Sequence, residues 1–206
     1  MQTPRLGVWV IPGLGLFMTG LTLWPAAFRM LCYDRRALQA GQWWRLLTGN
    51  WVHFSVYHLL MNLLFIGGVI WFFAPFATVR RWVVLMLWLS VVVGSGLWWF
   101  EPGIQVYAGA SGVAQGLLTW GLLQQLTRTP VLALLFLLLQ WGRIIFEHTP
   151  YYHADYLQTW IYVPVAVSAH LLGAVGGLIF VLFQGLMRWL VPVIHGSAMI
   201  SVKNAE

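Results

Sequence analysis

Hydrophobic residues in this chain run on in blocks about as long as a bilayer is thick, separated by joints carrying arginine, proline, glycine or glutamate. Six such blocks cover about residues 6–25, 53–74, 81–100, 108–126, 130–147 and 161–191. A helix needs about 20 apolar residues to cross the hydrocarbon core, and the last block is long enough to tilt or to project beyond it. A backbone in lipid must satisfy its own hydrogen bonds, so the blocks are expected as helices rather than strands. The pattern predicts an all-α membrane protein, a single domain over residues 1–206 built as a bundle of six transmembrane helices. The first block follows Arg5 and precedes Ala26 and Ala27, as a secretory signal would, but it exceeds the roughly 7 to 15 apolar residues of a signal core and is expected as an uncleaved span. The connection over residues 26–52 is long and rich in tryptophan (GQWWRLLTGNW). It is expected at the membrane interface, either as an amphipathic element or as an ordinary interfacial loop.

Composition strengthens this picture. The chain is 60% hydrophobic and only 8% charged, against roughly 25% charged in an ordinary soluble domain. Its net charge of +6 comes from 11 basic residues thinly spread between apolar blocks, which argues against a nucleic-acid surface and reads instead as membrane topology. With six spans both termini share one side. Arg5, Arg80, Arg81, Arg128, Arg188 and Lys203 then face that side, while Arg29, Arg35, Arg36 and Arg45 lie opposite with Asp34, Glu101, Glu147 and Asp155. The excess is small but points to cytoplasmic termini. A single cysteine, Cys32, permits no internal disulfide.

Polar groups inside such blocks are costly and are functional candidates by default. His58 and Asn62 are four residues apart and share a helix face. Ser111 stands between Gly109 and Gly112 at the start of the fourth block, and His170 lies in the sixth. At about 1.5 Å per residue, Asn62 and His170 both fall roughly 13 Å inside the outer ends of their blocks. A serine hydroxyl becomes a nucleophile when a base such as histidine takes its proton. Acyl transfer also needs donors aimed at the developing oxyanion, which a histidine N–H, an asparagine amide and a backbone amide can supply. Taken singly, each motif has a plainer reading. The glycines around Ser111 permit close helix packing, His170 can be a buried core residue or a haem ligand, and His58 with Asn62 can be an interhelical hydrogen-bonding pair.

Together, in this order, these residues resemble the rhomboid family of intramembrane serine proteases. Its bacterial members share a Trp-Arg element in the first loop, here Trp44-Arg45, and a histidine and asparagine on the second helix, here His53 with His58 and Asn62. They also share GxSG on the fourth helix, here Gly109 to Gly112, and AHxxGxxxG on the sixth, here Ala169 to Gly177, including Gly173. The resemblance runs from about residue 43 to 185. It implies a six-helix rhomboid-like bundle, Ser111 as nucleophile, His170 as base, and His58, Asn62 and the Ser111 amide as oxyanion hole. It also implies a catalytic dyad with no acidic third member, no cofactor and no metal. The partners implied are the lipid bilayer and membrane-anchored protein substrates, in a bacterial inner membrane with the site open to the periplasmic side.

Two positions depart from the common bacterial pattern. Gly49 replaces a histidine, which suggests a different loop interior, and Gln115 replaces a tyrosine that stacks on the base, although Gln115 could hydrogen-bond His170. Short length and the stretch WGRIIFEHTPYY resemble the rhombosortase subgroup, which is associated with processing C-terminal tails made of a Gly-Gly motif, a membrane helix and basic residues. Arg143 and Glu147, four apart, can pair on one helix face, either shaping the outer mouth of the site or holding the fifth helix to its loop. His148, His153 and Asp155 match none of the usual zinc spacings and are expected as an interfacial aromatic loop. The rival readings are a catalytically inactive client-binding relative, a haem or quinone protein using His53, His58 and His170, and acyl transfer to an amine rather than to water.

Overall fold

The computed structural model describes residues 6–153 and 159–203. A short 3-10 turn, Leu6–Trp9, leads into α1 (Val10–Leu23). Trp24, held extended by the proline after it, ends α1. Pro25 then opens α2 (Pro25–Leu31), which turns away by 97°. β1 (Tyr33–Asp34) leads to α3 (Arg35–Gln39), whose first turn is capped by the Asp34 carboxylate accepting from Ala37 N, and then α4 (Arg45–Thr48) follows. The long helices come next: α5 (Val56–Phe73), capped by Ser55, and α6 (Val79–Phe100), capped by Thr78. β2 (Val106–Tyr107) pairs antiparallel with β1. α7 (Ser111–Gln125), α8 (Pro130–Glu147, with proline at its first position) and α9 (Val167–Lys203) complete the bundle.

α5, α6, α8 and α9 are long and apolar enough to cross a membrane, and the bent α1–α2 pair makes a fifth crossing if counted as one span. Large apolar side chains such as Leu132, Leu135, Phe136 and Leu139 on α8 point outward, as a lipid-facing surface requires. The sequence pattern predicts six crossings, and the difference lies in α7. At fifteen residues α7 is too short by that measure, yet Val113, Ala114, Leu117 and Trp120 are completely buried. α7 is the axis of the bundle, enclosed by its neighbours rather than by lipid. α9 packs along it through small residues. A Cβ on Gly112 would stand 2.6 Å from the Ala169 carbonyl oxygen, one on Gly116 would stand 2.5 Å from that of Gly173, and Gly177 lies equally tight on Gly116. Small residues let membrane helices approach to backbone contact.

The first connection is folded down onto α6. A Cβ on Gly94 of α6 would overlap the Leu46 backbone. Arg45 is buried, and its guanidinium donates to the carbonyls of Cys32 (2.7 Å) and Arg29 (2.9 Å) and to Gln42 Oε1 (2.7 Å). Trp43 and Trp44 remain about half exposed. Arg35 caps the end of α6 by donating to the carbonyls of Leu97 and Glu101, each at 2.9 Å. These arginines act as structural donors and hold the connection at one end of the bundle.

Candidate active site

Ser111, His58, Asn62 and His170 all lie at that same end. Ser111 is the first residue of α7, His58 and Asn62 lie in the first two turns of α5, and His170 is in the first turn of α9. They line a cavity of about 170 Å³ together with Gln115 and Arg143. A second cavity of about 410 Å³, lined among others by Phe54, Tyr107, Ile161 and Val163, shares His58 and Ser111 with the first. The glycine contact between α7 and α9 accounts for serine and histidine lining the same cavity. Ser111 precedes Gly112 and His170 follows Ala169, the two residues whose backbones touch.

The depths differ from those expected. α9 begins at Val167 rather than near 161, because the chain breaks at residues 162–166, where Tyr162 has a positive φ of 64°. His170 therefore sits only about 5 Å along its helix, and Asn62, counted from Val56, about 9 Å. The polar groups still share one end, shallower than the block lengths imply.

His58 is held by the loop before Ser111. Gly109 has φ +128°, a region favouring glycine, and a Cβ there would stand 2.5 Å from His58 Cε1 and 2.7 Å from Nε2. The Gly109 carbonyl accepts from the buried Tyr107 hydroxyl at 2.6 Å, and its N–H donates to the Gly49 carbonyl at 3.1 Å. Burial pushes the Tyr107 phenol up, so it remains a donor. Gly49 itself has no room for a larger residue, since a Cβ would lie 2.8 Å from Tyr33 N. Phe54 stacks on the His58 ring, and His53, buried beside Thr22, meets it edge-on at 5.1 Å. Asn62 Nδ2 donates to the His58 carbonyl at 2.9 Å, leaving its second N–H for another partner.

Two expectations are corrected. Gln115 does not engage His170. Its side-chain oxygen accepts from Gln140 Nε2 at 3.0 Å, and Gln140 also accepts from Thr119. Arg143 and Glu147 do pair, at 2.9 Å, but only Arg143 stands at the mouth. Glu147 is turned inward, and its Oε2 lies 2.7 Å from His170 Nδ1. The absence of an acidic third member, implied by the resemblance, therefore does not describe this geometry. The contact joins residues 23 apart on separate helices. Its only trace in the sequence is that Gln140 and Glu147 fall seven residues apart, on one face of an otherwise apolar helix. In the following loop His148 Nδ1 donates to the Ile144 carbonyl at 2.8 Å, while Asp155 lies outside the described residues. Among the described residues no group of three His, Cys, Asp or Glu is placed to hold a metal ion.

No curated protein matches the chain. A family model, the rhomboid domain, matches residues 40–186, a stretch that starts just before α4 and ends within α9. That stretch carries Ser111, His170, His58 and Asn62 on a bundle with a lipid-facing surface, and the chain accordingly belongs to the rhomboid family, whose members are intramembrane serine proteases.

Proposed function

We propose that this protein is an active intramembrane serine endopeptidase in which Ser111 is the nucleophile and His170 the general base. The observation that carries this reading is the shared cavity at one end of the bundle, lined by a hydroxyl, two imidazoles and a carboxamide from three helices. His170 Nε2 takes the Ser111 proton as Oγ bonds to the substrate carbonyl carbon. The carbonyl electrons move to oxygen, and His58, Asn62 and the Ser111 backbone N–H stabilise that charge. Collapse expels the amine, which takes the proton from Nε2. Water then attacks the acyl-enzyme by the same route. No hydrogen bond joins Ser111 to His170 among the described residues, and such bonds commonly tighten only when substrate binds.

The remaining parts of the reading follow from position. α7 counts as the sixth membrane helix, sheltered by the other five. Arg80, Arg81 and Arg128 sit at the end opposite the site, which supports cytoplasmic termini and a periplasmic opening in a bacterial inner membrane. A helical substrate hides its carbonyls, so it must unwind locally at small or helix-breaking residues. That requirement and the stretch WGRIIFEHTPYY favour the rhombosortase subgroup, with substrates that are exported proteins carrying a Gly-Gly tail. The test is cleavage, in proteoliposomes, of a reporter bearing a Gly-Gly motif, a membrane helix and terminal lysines. Wild type should cleave it, and Ser111→Ala and His170→Ala should not. Cleavage by folded Ser111→Ala overturns the protease reading. Cleavage of helix-breaking reporters irrespective of the Gly-Gly motif overturns the subgroup alone.

A further inference from the structure

The inward face of α8 recurs at Ala133, Gln140, Ile144 and Glu147. The last of these carries a carboxylate into the protein. Its side chain is fully enclosed, and an enclosed carboxylate is strongly unfavourable unless it is paired and hydrogen-bonded. Its two oxygens have different surroundings. Oε2 lies 2.7 Å from His170 Nδ1. Oε1 lies 2.9 Å from Arg143 Nη2, but without hydrogen-bonding alignment, and the Arg143 side chain is 58% exposed, so water weakens that pairing. The imidazole is thus the well-formed partner. Gln115, the α7 residue nearest in sequence that could compete for it, is occupied with Gln140.

We infer that Glu147 is the positioning acid of a Ser111–His170–Glu147 relay, the third member that holds the base in its working tautomer. The inference rests on the protease reading above. The carboxylate accepts from Nδ1–H, which leaves the lone pair on Nε2, the nitrogen that must face the serine. When Ser111 attacks, its proton moves to Nε2 and the imidazolium forms 2.7 Å from a fixed negative charge. Glu147 keeps that charge and takes no proton. Arg143 flanks the other carboxylate oxygen from its exposed position one helical turn before the end of α8. The fifth helix, which donates nothing to the oxyanion hole, thereby controls the orientation of the base.

The test uses a fluorophosphonate probe on detergent-solubilised full-length protein. The maximal labelling rate at Ser111 and the probe concentration for half-maximal rate are measured for wild type, Glu147→Gln, Glu147→Asp and His170→Ala, with thermal unfolding of each. Glu147→Gln should lower the maximal rate by about 10² to 10⁴-fold, the upper figure being the loss seen when the acid of a serine triad becomes an amide, with half-saturation within about threefold. Glu147→Asp should recover at least about tenfold of that loss, which a merely structural role would not predict. Folded Glu147→Gln labelled within about threefold of wild type, while His170→Ala is unlabelled, overturns the inference and leaves the protease reading intact. A folded wild type unlabelled at Ser111, or labelling indifferent to His170, overturns both. Should Glu147→Gln fail to fold, nitrogen-15 spectra of histidine-labelled wild type decide. The His170 signals, assigned by their loss in His170→Ala, should report the Nδ1–H tautomer, and the Nε2–H tautomer would overturn the relay.

Discussion

Gly116→Ala adds one methyl group a full turn below Ser111, where it touches no part of the site, and it should nevertheless slow catalysis strongly. The new Cβ would stand 2.5 Å from the Gly173 carbonyl oxygen, whereas ordinary contact begins at 3.4 Å. The neighbouring Leu89 tip can rotate away, but the Gly173 carbonyl belongs to the α9 backbone. α7 and α9 must therefore separate by about 0.9 Å. His170 is three residues above Gly173 and moves with it. A displacement near 1 Å in a catalytic geometry lowers rate by about 10²-fold, while overpacking of this kind destabilises by about 1–3 kcal/mol. Reporter cleavage and thermal unfolding in detergent separate the two effects. The expected variant is folded, modestly less stable and about 10²-fold slower. Gly142→Ala on α8, where a Cβ meets nothing within 4 Å, serves as the control and should stay within about twofold of wild type. A folded Gly116→Ala cleaving at the wild-type rate would refute the claim that glycine contact sets the serine–histidine distance.

Other consequences follow from individual contacts. Asn62→Ala should reduce reporter cleavage by about 10² to 10³-fold if the free amide N–H meets the oxyanion, and an unchanged rate removes Asn62 from the hole. Gly109→Ala should displace the His58 ring, which lies 2.5 Å from the added Cβ, and fluorophosphonate labelling of the folded variant should fall at least about tenfold. Tyr107→Phe leaves the buried Gly109 carbonyl without its donor and should cost about 1–3 kcal/mol, read as a lowered Tm. Burial holds the Tyr107 phenol above its ordinary value, so its contribution to stability is complete below about pH 10 and is lost as pH rises further. Unfolding scans from pH 8 to 11 should show that decline in wild type and a smaller one in Tyr107→Phe.

Much of the candidate site was legible because its signals are local. The four-residue step from His58 to Asn62 needs only a helix, and the small residues flanking Ser111 and His170 imply both a flexible approach to the serine and a close helix pair. The glycines beside Ser111 and His170 do pack α7 against α9, so the plainer reading of those two motifs holds without excluding the functional one, whereas Asn62 bonds within its own helix to the His58 carbonyl rather than across to another. What the sequence concealed depends on tertiary direction. Glu147 reads equally well as a surface ion pair with Arg143. Only the rotation of α8, which buries Ala133, Gln140 and Ile144 and bonds Gln140 to Gln115 and Thr119 of α7, turns the carboxylate inward and leaves the guanidinium outside. Helix ends were hidden for a different reason. Hydropathy does not register the break at residues 162–166 that starts α9 at Val167, and so it places His170 too deep. α7 was predicted as one span among six, although its fifteen residues are enclosed by protein rather than lipid.

The central claim is that His170 activates Ser111 in the folded protein. The most direct measurement treats detergent-solubilised wild type, Ser111→Ala and His170→Ala with a fluorophosphonate and maps the modified peptide by mass spectrometry. A phosphonyl adduct on Ser111 in wild type, absent from both folded variants, is the predicted result. Equal modification of Ser111 in His170→Ala, or an adduct that persists elsewhere when Ser111 is removed, would contradict it.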